Sequence, residues 1–372
     1  MKKQNKLKLK SRETGETYRF ESADGINSKN SFRKEELLLA DKVNINEEDR
    51  VLIIQSGFGF LGTVLGAKAD ETVMYETSAR ATKFSRTNAQ NNSIKGTKVV
   101  NKPEISDIED SFDKIIYAPE SYAPVDLVKR RLSQAANKTT EKGEIYISGK
   151  KKSGLKRYRK YLQQNSQKEK IGTQGNILAY KFSKISKMPE VDIEKHFKTE
   201  LNNMEADFKT SEGLFSSGKL DEGTKILLEN INLENPNKIL DLGCGYGAIS
   251  VFLSKKYKAT FYLSDDNARA SKYAKKNMEK SGAENFKIKT ADCLDGFQDE
   301  KFDVIISNPP THQGKGVTDK IFNQAAEALS KQGELWLVYN QNMRFEDELS
   351  EKFNKVEKVE QEDNFLVLKA VK

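Results

Sequence analysis

Residues 238–247 read KILDLGCGYG, and residues 50–59 read RVLIIQSGFG. Each is a short Val/Ile/Leu-rich run that ends in a glycine turn, the pattern of a buried parallel strand whose carboxyl end meets a tight loop. The two stretches stand 188 residues apart, and three further blocks follow in the same order in both halves. VMYETSARATKFSRTN (73–88) lies over YLSDDNARASKYAKKN (262–277), FDKIIYAP (112–119) over FDVIISNP (302–309), and KGEIYIS (142–148) over QGELWLV (332–338), with the offset drifting only to 190. Chance likeness of buried strands explains one such block and not four in register, so the chain is read as an internal duplication.

Helical patterns such as ARASKYAKKNMEK and IFNQAAEAL separate the strands, which is the signature of a parallel sheet covered by helices. Two tandem α/β domains are therefore expected, residues 1–187 and 188–372. The boundary is placed in AYKFSKISKMPEV (179–191), where Ser, Lys and Pro189 interrupt the pattern. The stretch from His196 to Asn232 is expected to preface the second sheet with helices.

Composition agrees with this. The 372 residues are 36% hydrophobic and 32% charged, enough apolar material for packed cores under a very polar surface. Cys244 and Cys293 cannot make a disulfide framework, and two His with two distant Cys offer no metal site. No run approaches the roughly 18 apolar residues of a membrane span. The first ten residues, MKKQNKLKLK, lack the apolar core of a signal peptide. A reducing, cytoplasmic protein, monomeric and without membrane or metal partners, is expected.

The net charge of +8 is local. Lys150 to Lys170 (KKKSGLKRYRKYLQQNSQKEK) hold nine basic residues and one acidic, which equals the excess of the whole chain. With Tyr158 and Tyr161 interleaved, this segment has the cations and rings to neutralise phosphates and stack on bases. The bland alternative is a solvated helix face.

The second half carries the candidate chemistry. Gly243-Cys244-Gly245-Tyr246-Gly247 puts small residues where a nucleotide-like ligand approaches the backbone at the carboxyl edge of an open sheet. Asp265 ends the next strand, where a carboxylate accepts both hydroxyls of a ribose. Asp292 ends the third, where it accepts from an adenine amino group beside the backbone N–H of Cys293. Asp241, just before the loop, is placed to hold the ligand's ammonium through water or to order the loop. The fourth strand ends in Ser307-Asn308-Pro309-Pro310. Proline removes donors and keeps the preceding residue extended, so Asn308 and Pro309 are expected to present two carbonyl oxygens with no competing N–H. Two fixed acceptors bind both hydrogens of a planar amine and leave its lone pair facing an electrophile.

These residues resemble the class I S-adenosylmethionine-dependent methyltransferases with an N-P-P motif, and most closely the small-subunit rRNA guanine-N2 methyltransferase family. The stretches that carry the likeness are GLFSSGKLDEGTKILL (213–228), ILDLGCGYGAIS (239–250), FDVIISNPPTHQG (302–314) and GEIYISGKKKSGLKRY (143–158). The resemblance implies two Rossmann-like methyltransferase domains, the first degenerate. By it, Asp241, Gly243, Cys244, Gly245, Asp265, Asp292 and Cys293 bind S-adenosylmethionine, and Asn308, Pro309 and Pro310 form the catalytic turn. Phe215 is expected to help close the site. The implied partner is ribosomal RNA or the small ribosomal subunit; DNA adenine, protein glutamine, a non-catalytic RNA-binding assembly factor and a nicotinamide-dependent oxidoreductase are the competing readings.

One departure stands out. Many family members carry an aromatic residue directly after N-P-P, where this chain has Thr311 and then His312. In the first half, Ile53 stands at the position of Asp241, Ala118 at Asn308 and Glu120 at Pro310, so that half reads as a fold relic in which Glu76 is the one residue left for nucleotide binding. Its basic segment occupies the element that in the second half reads MRFEDELSEKF, basic in one copy and acidic in the other.

Overall fold

The computed structural model describes residues 5–10 and 15–372, so residues 1–4 of the basic opening stretch lie outside the described part. The chain divides into two compact units, Met1–Ile193 and Glu194–Lys372. The segment around Pro189 belongs to the first: the Met188 N–H donates to Asn137 Oδ1 at 2.9 Å, and the Met188 side chain is buried.

The first unit runs β1 (Asn5–Lys10), β2 (Thr17–Ser22), α1 (Lys34–Lys42), β3 (Arg50–Ile54), α2 (Phe60–Gly66), β4 (Glu71–Glu76), α3 (Ala79–Asn91), β5 (Thr97–Asn101), β6 (Phe112–Tyr117), α4 (Val125–Lys138), β7 (Thr139–Lys150), α5 (Leu155–Gln163), β8 (Gln167–Gln174) and β9 (Ile177–Ser183). The second repeats it: β10 (Glu194–Leu201), β11 (Met204–Ser211), α6 (Glu222–Asn230), β12 (Lys238–Leu242), α7 (Ala248–Lys256), β13 (Thr260–Asp265), α8 (Ala268–Lys280), β14 (Phe286–Thr290), β15 (Phe302–Ser307), α9 (Lys315–Ala328), β16 (Leu329–Asn340), α10 (Glu346–Ser350), β17 (Lys355–Glu362) and β18 (Phe365–Val371).

The seven-stranded sheets have the orders β5-β4-β3-β6-β7-β9-β8 and β14-β13-β12-β15-β16-β18-β17. Six strands of each run in one direction, and the last in sequence runs antiparallel between its two neighbours. A dinucleotide-binding sheet continues 4-5-6 with parallel strands. The inserted reversed strand separates this fold from that of nicotinamide-dependent oxidoreductases.

Alternation along the strands builds two apolar layers per sheet. In the second unit Leu240, Leu242, Ile305 and Leu337 face one layer, while Ile239, Leu263, Ile306 and Val338 face the other with Phe208 and Phe252. Each such side chain, fully buried, contributes about 1.5–3 kcal/mol. Asp241 shares the face of Ile239 and is thereby turned toward α7.

Two expectations are corrected. Of His196 to Asn232 only Glu222–Asn230 is helix; His196 to Ser211 lies in the hairpin of β10 and β11. Phe197, Thr199 and Leu201 alternate against Ala206, Phe208 and Thr210, and Asn202-Asn203 takes φ of 50° and 60°, the turn chemistry of a two-residue hairpin. The basic segment is likewise not one helix but the end of β7, a turn, α5 and the start of β8. Tyr158 is buried with Leu155 and Leu162 as the apolar stripe of α5, so it cannot stack on a base; Tyr161 is partly buried against the same layer. Arg159 is drawn inward as well, its guanidinium 5.5 Å from the ring centroid of Tyr180. Lys151, Lys152, Lys156, Arg157 and Lys160 remain exposed. Among the described residues no helix is long and apolar enough to cross a membrane.

Candidate active site

Strand β12 is the point where the sheet order reverses: the chain goes from it to β13 and β14 on one side and returns to β15 on the other. Ligands of open α/β sheets sit in the crevice at such a point, beyond the carboxyl ends of the strands. Both sequence motifs of the second half lie there, the glycine loop after β12 and Asn308 after β15.

Gly243, Gly245 and Gly247 have φ of 78°, 57° and 89°. A Cβ at Gly243 or Gly245 would meet no atom within 4 Å, whereas one at Gly247 would stand 3.2 Å from the Ala274 backbone. The first two glycines thus leave open space above the loop, and the third lets α7 pack on α8. The N–H groups of Gly243 and Cys244 both donate to the Ser264 carbonyl, at 2.8 and 3.1 Å. The loop therefore offers room rather than donors. Burial pushes the Cys244 thiol up, which leaves it unreactive.

Asp265 keeps acceptor capacity at the loop's edge. Its Oδ2 accepts from Gly245 N–H at 2.9 Å and its Oδ1 from Asn267 N–H at 2.8 Å, and each oxygen has a further lone pair. Burial raises its carboxyl to about 6 against those two bonds. The donor set fits a ribose diol. Asp292 is shared: its carboxylate pairs with Lys320 of α9 at 2.8 Å, and Lys320 also meets Asp295 at 2.8 Å. Cys293 follows at φ 57°, and its carbonyl accepts from the Ser264 hydroxyl at 2.5 Å.

Asp241 is 1% exposed, and its Oδ2 accepts from the N–H and the hydroxyl of Ser250 at 3.2 and 2.7 Å, which ties β12 to α7. Its Oδ1 has no protein partner, an orphaned buried acceptor of the kind that a ligand's ammonium satisfies. Burial raises this carboxyl to about 7 from 3.8. The folded chain then holds a proton that the unfolded chain has released, so between those values stability falls as pH rises. Asp241→Asn cannot ionise; its stability relative to the parent is expected to improve between pH 4 and pH 8 by about 1 kcal/mol or more. Thermal melts of the ligand-free protein check this, and a difference that is the same at both pH values would contradict the burial argument.

Asn308 is held by residues that sequence reading missed. Its Nδ2 donates to Asp221 Oδ2 at 2.9 Å and to Thr224 Oγ1 at 3.0 Å. The Asp221 carboxylate only accepts, which assigns the amide orientation. Asp221 is also the N-cap of α6, accepting from Thr224 N–H at 2.9 Å. Asp-x-x-Thr is legible as a helix cap, but nothing in the sequence points from it to an asparagine 87 residues away. The expectation for Pro309 is modified: its carbonyl accepts from Thr311 N–H at 2.8 Å, so one lone pair remains rather than an unopposed acceptor. Phe215 is 61% exposed. His312 is exposed in the short 3₁₀ turn Thr311–Gln313.

What the halves share is structural. Asn277 Nδ2 donates to the carbonyls of Lys209 and Tyr246, clamping the hairpin to the glycine loop, and Asn88 does the same with Glu21 and Phe58. Glu76 accepts from Gly57 N–H at 2.5 Å as Asp265 does from Gly245, but burial raises it to about 8. A cleft of about 130 Å³ remains beside it, lined among others by Arg33, Glu36, Glu120 and Tyr122. Among the described residues no cluster of His, Cys, Asp and Glu could hold a metal ion.

A family model described as the methyltransferase small domain matches residues 17–176 and again 205–369. The chain is 26% identical over 359 residues to the ribosomal RNA large subunit methyltransferase G of Psychromonas ingrahamii, covering 92% of this chain and 90% of that protein. It is 29% identical over 261 residues to the ribosomal RNA small subunit methyltransferase C of Pseudoalteromonas translucida, covering 68% and 75%. Among solved structures, the T. thermophilus 16S rRNA N2 methyltransferase RsmC, in complex with AdoMet and guanosine, aligns over 99% of this chain and 98% of its own with a TM-score of 0.82 at 22% identity. That last likeness is one of fold, and it extends through both units. With the family model matched twice along one chain, at the two places where the duplication was read, the protein belongs to the methyltransferase small domain family.

Proposed function

We propose that residues 188–372 transfer a methyl group from S-adenosylmethionine to an exocyclic amine of a ribosomal RNA base, guanine N2 foremost, and that residues 1–187 form a degenerate methyltransferase unit that docks RNA. The observation that carries the reading is the Asn308 amide, whose two hydrogens are both taken by Asp221 and Thr224. Its Oδ1 is left to accept from the target amine together with the second lone pair of the Pro309 carbonyl. Pro310 contributes no N–H to compete. The amine is planar and barely basic, so orientation and charge stabilisation replace a strong base.

Asp265 takes the ribose diol, Asp292 and the Cys293 N–H take the adenine edge, and Gly243, Cys244 and Gly245 leave room for the cofactor's tail. Asp241 holds its ammonium and orders the loop through Ser250. When bound, the cofactor supplies a methyl group on a sulfonium. As the new N–C bond forms, the sulfur–methyl bond breaks with its electron pair left on sulfur as a neutral thioether, and the nitrogen gives up one proton to water. The exposed Phe215 offers the stacking surface that Thr311 does not. The names of the relatives, one for each ribosomal subunit, support rRNA as the substrate; guanine and the small subunit rest on the resemblance of the motif stretches.

Mass spectrometry of digested rRNA from cells with and without the gene tests this: one methylguanosine is expected to be missing without it, and identical nucleoside profiles would overturn the assignment. The docking role has its own test. Lys151, Lys152, Lys156 and Arg157 changed together to Gln are expected to weaken RNA binding and flatten its salt dependence, since each lost phosphate contact removes about 0.7–0.9 from the slope of log K against log salt. An unchanged slope would return α5 to a solvated face.

A further inference from the structure

Asp221 and Arg33 hold the same place in the two units, each the N-cap of the helix that precedes the first sheet strand, α6 in one and α1 in the other. What they do at the neighbouring strand end is opposite. Asp221 accepts from the Asn308 amide. Arg33 donates to the backbone carbonyls of Ala118 and Pro119, at 2.9 and 3.0 Å, and Ala118 and Pro119 stand where Asn308 and Pro309 do. Glu36, at the place of Thr224, steadies the guanidinium at 3.5 Å. A forked cation thus fills backbone acceptors of the first unit's strand end, while a carboxylate aims the Asn308 side-chain acceptor of the second.

We propose that this helix-cap residue decides whether a unit can hold an amine: Asp221 is the positioning residue that turns Asn308 Oδ1 to the substrate, and Arg33 is the resident occupant of the first unit's strand end, where it fills the Pro119 carbonyl, the counterpart of that of Pro309, and the backbone carbonyl of Ala118, which has no side-chain acceptor. The proposal rests on the reading that Asn308 holds the target amine. Two physical effects act together. With both Nδ2 hydrogens bound on one side, the planar amide must present Oδ1 on the other. A carboxylate accepting from the amide also polarises it, which strengthens Oδ1 as an acceptor, and its negative charge lies behind the nitrogen that turns positive during transfer. Thr224 alone, a neutral hydroxyl, supplies neither the charge nor the second bond.

The helix cap and the positioning role separate in Asp221→Ser. Serine still caps α6 through Thr224 N–H, but its side chain is too short to reach Asn308. Single-turnover methyl transfer to rRNA from cells lacking the gene is expected to fall 10- to 100-fold, with the melting midpoint unchanged and the S-adenosylhomocysteine affinity within twofold of the parent. Asp221→Asn, which keeps an acceptor of the right length, is expected to recover at least a third of the rate. Asp221→Arg copies Arg33 and is expected to show no transfer while still binding S-adenosylhomocysteine. A parental rate in Asp221→Ser, or more than a tenth of it in Asp221→Arg, overturns the proposal. Hydrogen exchange of the Asn308 side-chain amide reads the geometry without turnover: slow in the parent and at least tenfold faster in Asp221→Ser supports the positioning role, and equal rates overturn it. A parent protein that fails to methylate any rRNA would sink the proposed reaction alone, with the amide exchange still deciding the role of Asp221.

Discussion

Asn308→Ala is expected to reduce methyl transfer by two decades or more, about 3 kcal/mol, the scale for removing a positioned polar contact at the reacting atom. The loss should fall on the chemical step. Among the described residues the Asn308 side chain hydrogen-bonds Asp221 and Thr224, neither of which is assigned to the cofactor, and without it Asp221 still accepts from Thr224 N–H. The α6 cap therefore survives, and S-adenosylhomocysteine affinity is expected to stay within about twofold of the parent. Single-turnover assays beside calorimetry make the comparison. Parental turnover in the variant would show that the N-P-P turn does not hold the amine, and an equal loss of cofactor affinity would make Asn308 a structural residue of the cleft.

Asp265→Ala is expected to do the reverse, weakening cofactor binding first. Hydrogen bonds to a charged group contribute about 1.5–3 kcal/mol each, so the loss of two to a diol predicts two decades or more in affinity. The parent should also show a pH dependence that this variant lacks. The Asp265 carboxyl is raised to about 6 by burial. It is ionised above that pH and accepts fully there; affinity therefore falls as pH drops through about 6. Calorimetry from pH 5 to pH 8 reads both effects. Unchanged affinity in the variant would remove the ribose role, and a pH profile shared by parent and variant would assign the titration to another group, Asp241 first, whose carboxyl titrates near 7.

The first unit keeps the fold of the second with different residues at the strand ends. Asn88 and Asn277 clamp hairpin to loop in both halves, so losing either would free several buried backbone groups. Ile53 in place of Asp241 removes a costly buried carboxyl and leaves the strand intact. The fold needs the clamp and does not need the carboxylate.

Strand ends, glycine loops and the duplication were legible in the sequence because each depends on local alternation and on residues with special backbone freedom, repeated at a constant offset. The same reading set Asp241, Asp265, Asp292 and Asn308 at the carboxyl edge of the sheet, since parallel strands deliver their carboxyl ends to one edge wherever the helices fall. It misjudged His196 to Ser211, where long polar side chains masked a two-residue period, and Tyr158, where rings among lysines suggested an exposed face although the Leu155, Tyr158, Leu162 spacing is that of a buried stripe. The contacts that set the state of each strand end, Asp221 on Asn308 and Arg33 on Ala118 and Pro119, were decided only by tertiary structure. They join residues 85 to 87 positions apart through single hydrogen bonds, and such bonds leave no periodicity behind. A sequence determines which strands and turns form because those follow from neighbours along the chain; which acceptor is open and which is filled follows from neighbours in space.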